Sequence, residues 1–114
     1  MKVREIQNLF NLEVVSGEKG LDREITSGYC GDLLSDVMAN STKGDVWLTV
    51  QVHQNIVAVA ILKELAAIIL VNGRMPDEET KLKSEEENLP ILVSQLSGYK
   101  LAGQLHEVGI CKTE

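Results

Sequence analysis

Residues suited to gripping a small charged ligand recur where the chain turns. Asp22-Arg23-Glu24 stands between a glycine turn and an extended stretch, and Ser27-Gly28-Tyr29 is followed closely by Asp32. Further along, Thr49 precedes His53-Gln54-Asn55, and Asn72-Gly73-Arg74 and Ser94-Gln95 each follow an apolar run. Arg23 and Arg74 carry planar guanidinium forks able to hold a phosphate or carboxylate through two hydrogen bonds. The candidate binding set is therefore Asp22, Arg23, Gly28, Asp32, Thr49, His53, Asn72, Gly73 and Arg74. Each has a structural reading beside the functional one. Arg23 can bridge to Asp22, Asp32 or Asp36 and pin a corner, Asn55 and Ser97 can cap helices, and Gly28, Asn72 and Gly73 can serve turns.

Reaction chemistry is not visible. Gly28-x-x-Gly31 lacks the third glycine of a dinucleotide fingerprint, and neither a P-loop nor a Gly-x-Ser-x-Gly elbow is present. His53 has no Cys or carboxylate at ligand spacing, His106 lies on the polar side of the last helix, and Cys30 and Cys111 have neither the number nor the spacing for a zinc site, an iron–sulfur cluster or a disulfide framework. The expectation is a protein without catalytic residues, metal or cofactor.

The elements that must position these residues alternate. Val3, Ile6 and Phe10 at helical spacing predict a helix over residues 2–10, and Leu12 to Val15 reads as a short strand. Ile25 to Tyr29 is extended, and Asp32 is placed to cap a helix with Leu33, Leu34, Val37 and Met38 on one face. Val46 to Val52 is a strand, Asn55 caps a helix from Ile56 to Leu65, and Ala67 to Val71 is a buried strand. Pro76 opens an acidic helix reaching about Asn88, solvated almost throughout, with Lys81 and Lys83 as i,i+4 partners for its glutamates. Pro90 to Val93 is the last strand. Ser97 caps a final helix with Leu101, Ala102, Leu105 and Val108 inward, ended by Gly109. Strand and helix in alternation give α/β class with a mainly parallel sheet, whose ligands bind beyond the strands' carboxyl ends. The crevice is expected near Gly28, Thr49 and Asn72.

At 114 residues the chain fits one domain, 1–114, and a composition of 44% hydrophobic and 25% charged residues is that of a globular protein. A net charge of −6 with 4% aromatics argues against a nucleic-acid partner. Lys63-Glu64 interrupts the longest apolar run, so no membrane span is expected and the location is expected to be cytoplasmic.

Leu21-Asp22-Arg23, Ser27-Gly28-Tyr29, the run Asp32 to Asn40, Gly44-Asp45-Val46-Trp47, Asn55 to Ala60 and Val71-Asn72-Gly73-Arg74 together resemble the DRTGG domain family. At the eponymous motif Asp-Arg is kept, Glu24 and Ile25 follow, and a single Gly28 stands where the name implies a pair. The resemblance implies a three-layer α/β/α domain similar to the N-terminal region of HPr kinase/phosphorylase. It also implies a regulatory or dimer-forming module separate from any catalytic unit, and the polar strand-end loops beside helix N-termini make a nucleotide or other small anion the expected ligand. The alternative it implies is an interaction adaptor associated with iron–sulfur hydrogenase or redox machinery. A homodimer suits the helix from Asn55 to Leu65, apolar nearly all round, unless the first helix or a loop covers its second side. Trp47 and Tyr99 are candidate interface anchors, with a core position as the simpler reading.

Overall fold

The computed structural model describes residues 1–111. Its elements run α1 (Val3–Leu9), β1 (Glu13–Ser16), β2 (Ser27–Cys30), α2 (Leu34–Asn40), β3 (Asp45–Thr49), α3 (Asn55–Leu62), β4 (Ala67–Leu70), α4 (Glu78–Glu86), β5 (Ile91–Val93) and α5 (Gly98–Glu107), with a 3-10 turn at Glu18–Gly20. The sheet order is β1-β5-β4-β3-β2. β2 through β5 are parallel, and β1 alone runs antiparallel, against β5, with a register shift between Val14 and Ser16.

Side-chain alternation along the strands divides the core in two. Val46, Leu48, Ala67, Ile69 and Leu92 face one layer with Val3 and Ile6 of α1 and Leu101 and Leu105 of α5. Trp47, Ile68, Leu70, Ile91 and Val93 face the other with Val37 of α2 and Ile56, Val57 and Ala60 of α3. This is the expected three-layer α/β/α sandwich. No helix among the described residues is long and apolar enough to cross a membrane.

Several local expectations are corrected. The third strand stops at Thr49 because Thr49 Oγ1 accepts the Gln51 amide and turns the chain out of the sheet. Asn55 lies inside α3 and caps nothing; Gln54 holds the N-cap position. The second side of α3 is flanked by α2 and α4, not by α1, while Ile61 and Leu62 at its end stay exposed. The acidic helix is anchored as well as solvated. Thr80 Oγ1 donates to the Val52 carbonyl at 2.7 Å, and the buried Ser84 hydroxyl meets that of Ser16 on β1. Its ion pairs span three residues, Lys81 with Glu78 and Lys83 with Glu86. Ser97 does cap α5, accepting the Lys100 amide at 3.3 Å, but Val108 falls past the helix's last turn and is exposed. Trp47 is wholly buried in the core, whereas Tyr99 is 91% exposed.

Candidate functional site: a cleft between an edge strand and a helix

Parallel strands bring the ends of β2, β3, β4 and β5 to one edge of the sheet, and part of the predicted set meets there. Thr49 is buried and donates through Oγ1 to Asp32 Oδ1 at 2.8 Å; the Val50 amide donates to the same oxygen at 3.0 Å. Asp32 therefore ties the end of β2 to the end of β3 and does not cap α2. With its carboxylate already taken, the helix starts one residue later than predicted, with Leu33 at the N-cap and exposed to solvent.

Asn72 and Gly73 both adopt left-handed backbone, φ 58° and 68°, and the Arg74 amide donates to the Val71 carbonyl at 3.2 Å. Asn-Gly is the pair such a turn favours. Its amides are occupied, Asn72 N by the Leu96 carbonyl and Gly73 N by that of Ser94. A Cβ on Gly73 would come within 2.6 Å of Gln95 Oε1. The turns after β4 and β5 are thus laced to one another. His53 and Arg74 are exposed beside them and make no ion pair among the described residues.

Asp22 and Arg23 lie at the other end of the sheet. Arg23 donates to the carbonyls of Leu65 at 3.2 Å and Glu87 at 3.3 Å, residues that precede β4 and β5. It pins a corner, as its structural reading held, but through backbone carbonyls and not through Asp22, Asp32 or Asp36. Asp22 pairs instead with Arg4 at 3.1 Å, which holds its carboxyl below the ordinary value.

Gly28 is not in a turn. It sits within β2, level with Val46 of β3, because the edge strand needs only its extended neighbours to continue the ladder. It forms part of the floor of a cleft of about 270 Å³ between β2 and α5, lined by Ser27, Gly28, Tyr29, Cys30, Leu48, Ala102, Leu105, His106, Ile110 and Cys111. A shallower surface continues from it along α5 past Gly98, Tyr99, Lys100 and Glu107. The helix half of this site was missed. Its signal was present in Gly98 and Ala102, small residues four apart on a helix, which let the helix approach the glycine-bearing strand; a Cβ on Gly98 would stand 3.2 Å from Cys30 Sγ.

Among the described residues the lining contains no Lys, Arg, Asp or Glu. Burial, and then the negative charge of Asp32, push the Cys30 thiol up, which disfavours the nucleophilic thiolate. At the outer wall the Tyr29 hydroxyl donates to the Asp36 carboxylate, and that bond, with burial second, pushes the phenol up to about 12. A phenol whose folded pKa is raised gives stability that is whole below about 10 and lost as pH climbs through 12. Tyr29→Phe is expected to remove that part of the alkaline fall in Tm, seen as a smaller difference between about pH 9.5 and about pH 11.5 than the parent shows. Trp47 Nε1 donates to the Gly31 carbonyl at 2.9 Å and fastens the strand's end. Among the described residues no group of three or more His, Cys, Asp or Glu is placed to hold a metal ion. The cleft offers shape and apolar surface, with Ser27 and His106 as hydrogen-bonding groups.

No protein-family model matches the chain, and no curated protein matches it. A solved structure does: the CBS and DRTGG domains of the regulatory region of Clostridium perfringens pyrophosphatase, complexed with the activator diadenosine tetraphosphate. The TM-score is 0.67 at 15% identity, over 91% of this chain and 45% of that one, so this chain spans under half the length of its match. The hydrogenase-associated adaptor finds no support in this likeness. What the likeness establishes is the fold.

Proposed function

We propose that the chain is a regulatory module, not an enzyme, and that it senses a nucleotide or other small anion through the cleft between β2 and α5. The observation that carries this is the cleft itself, an apolar recess whose floor includes a strand glycine and whose mouth runs along α5 toward the carboxyl edge of the sheet. Support comes from the structure of similar fold, which belongs to a regulatory region and was solved with a nucleotide activator. Arg74 and His53, exposed at that carboxyl edge, remain candidates for contacts to an extended ligand, as do Asn72 and Gly73. Thermal-shift titration with ATP, AMP, diadenosine tetraphosphate, acetyl phosphate and phosphate tests the proposal. At least one nucleotide is expected to raise Tm by several degrees at saturation, following the linkage between binding and stability. No shift with any of them overturns it.

The proposal includes a two-fold homodimer acting in the cytoplasm, joined through the exposed end of α3. Leu62 is 69% exposed there beside Ile61. Sedimentation velocity is expected to give twice the chain mass, falling to a monomer in Leu62→Glu. A parent protein that sediments as a monomer at tens of micromolar removes the dimer from the proposal.

A further inference from the structure

We infer that the cleft recognises an uncharged flat heteroaromatic ring, the base of a nucleoside, and that the phosphates of a nucleotide stay outside it along α5. The inference rests on the regulatory reading above and names the part of the ligand that enters.

Size is the first ground. Pockets that enclose a whole drug-sized ligand run from roughly 300 to 1,000 Å³. At about 270 Å³ this one has room for a ring system and little more. Charge is the second. Among the described residues the lining holds no Lys or Arg, and a phosphate taken out of water without a cationic partner is strongly disfavoured. Leu48, Ala102 and Leu105 instead suit the faces of a neutral ring, while the Ser27 hydroxyl and the His106 imidazole can meet hydrogen-bonding atoms on its edge. The third ground is the continuation of the recess. The shallow surface along α5 shares Cys30, Ala102 and His106 with the cleft and carries Lys100 toward one end and Glu107 toward the other. A charged tail leaving the cleft is drawn to the Lys100 end and repelled from the Glu107 end.

Calorimetric titration with adenosine, AMP, ATP and inorganic tripolyphosphate separates the parts. Adenosine and AMP are expected to bind within about tenfold of ATP, a spread of about 1.4 kcal/mol, and tripolyphosphate is expected neither to bind nor to displace adenosine. Lys100→Glu is expected to weaken ATP several-fold and leave adenosine unchanged. If ATP binds while adenosine does not, or tripolyphosphate competes with ATP on equal terms, the inference fails and the regulatory reading stands. If none of the four binds, the inference fails, and the thermal shifts with diadenosine tetraphosphate, acetyl phosphate and phosphate decide the regulatory reading.

Discussion

Gly28→Leu is expected to raise the melting temperature by several degrees and at the same time to abolish the response to nucleotide. The two effects have separate causes. A Cβ added at Gly28 meets only the Val46 carbonyl oxygen at 3.5 Å and Val46 Cγ1 at 3.6 Å, ordinary contact distances, and the residue has no positive φ. Nothing must move to admit a side chain. Removing glycine from a strand interior recovers roughly 0.5–1 kcal/mol of backbone entropy. Further stabilisation follows as the leucine covers Leu48, Ala102 and Leu105, since burying a leucine fully is worth about 1.5–3 kcal/mol and partial burial a share of that. The same carbons occupy the space reserved for the ligand. Differential scanning fluorimetry with and without nucleotide reads both quantities from one pair of curves. A variant that melts higher and still responds would place the ligand elsewhere, for instance over Arg74 and His53. A variant that melts lower would show that β2 and α5 tolerate no filling, and calorimetry on the folded protein then decides the binding question.

Arg23→Ala is expected to do the reverse, costing stability without touching ligand affinity. The guanidinium serves two carbonyls, one in a partly buried setting, and hydrogen bonds from a charged donor contribute on the order of 1.5–3 kcal/mol each in favourable surroundings. Solvent reaches the Glu87 contact, so a total of about 2 kcal/mol is the reasonable expectation. For a domain of this size that corresponds to a fall in Tm of roughly 6–12 °C. Arg23→Lys should recover little of it, because an ammonium cannot reach both carbonyls with fixed geometry. Chemical denaturation measures the loss. Unchanged stability with weakened nucleotide binding would return Arg23 to the ligand site.

The contrast between these two residues shows what the sequence made legible and where it misled. Periodicity found every strand and helix, because apolar runs such as Ala67 to Leu70 and the spacing of Leu101 and Leu105 leave few alternatives once a sheet needs covering on both faces. The resemblance to the DRTGG domain correctly supplied the layered architecture. Polar residues were harder, because a short polar side chain takes whichever donor the tertiary fold brings nearest. Asp32 had a helix amide in prospect and found Thr49 and Val50 from the neighbouring strand instead. Asn55 was a plausible cap until Gln54 took that position. Glycine was misjudged in the opposite sense. Gly73 does serve a left-handed turn, but Gly28, assigned to a loop, lies in an edge strand and is valuable for the room it leaves. Arg23 and Asp32, nine positions apart, were grouped by proximity in sequence, and the strand between them carries them to opposite edges of the sheet. The helix that completes the cleft comes from the far end of the chain, a juxtaposition that local patterns do not encode.

The indole bonded to the Gly31 carbonyl has a practical corollary. It belongs to the chain's single tryptophan, wholly shielded from water and tethered one residue beyond Cys30. The molecule therefore carries its own optical gauge of the edge strand's end, on the sheet face opposite the recess. Emission from that ring will be blue while the strand stays docked and will redden when its end peels away, so a fluorimeter can follow detachment of the edge strand with no label attached.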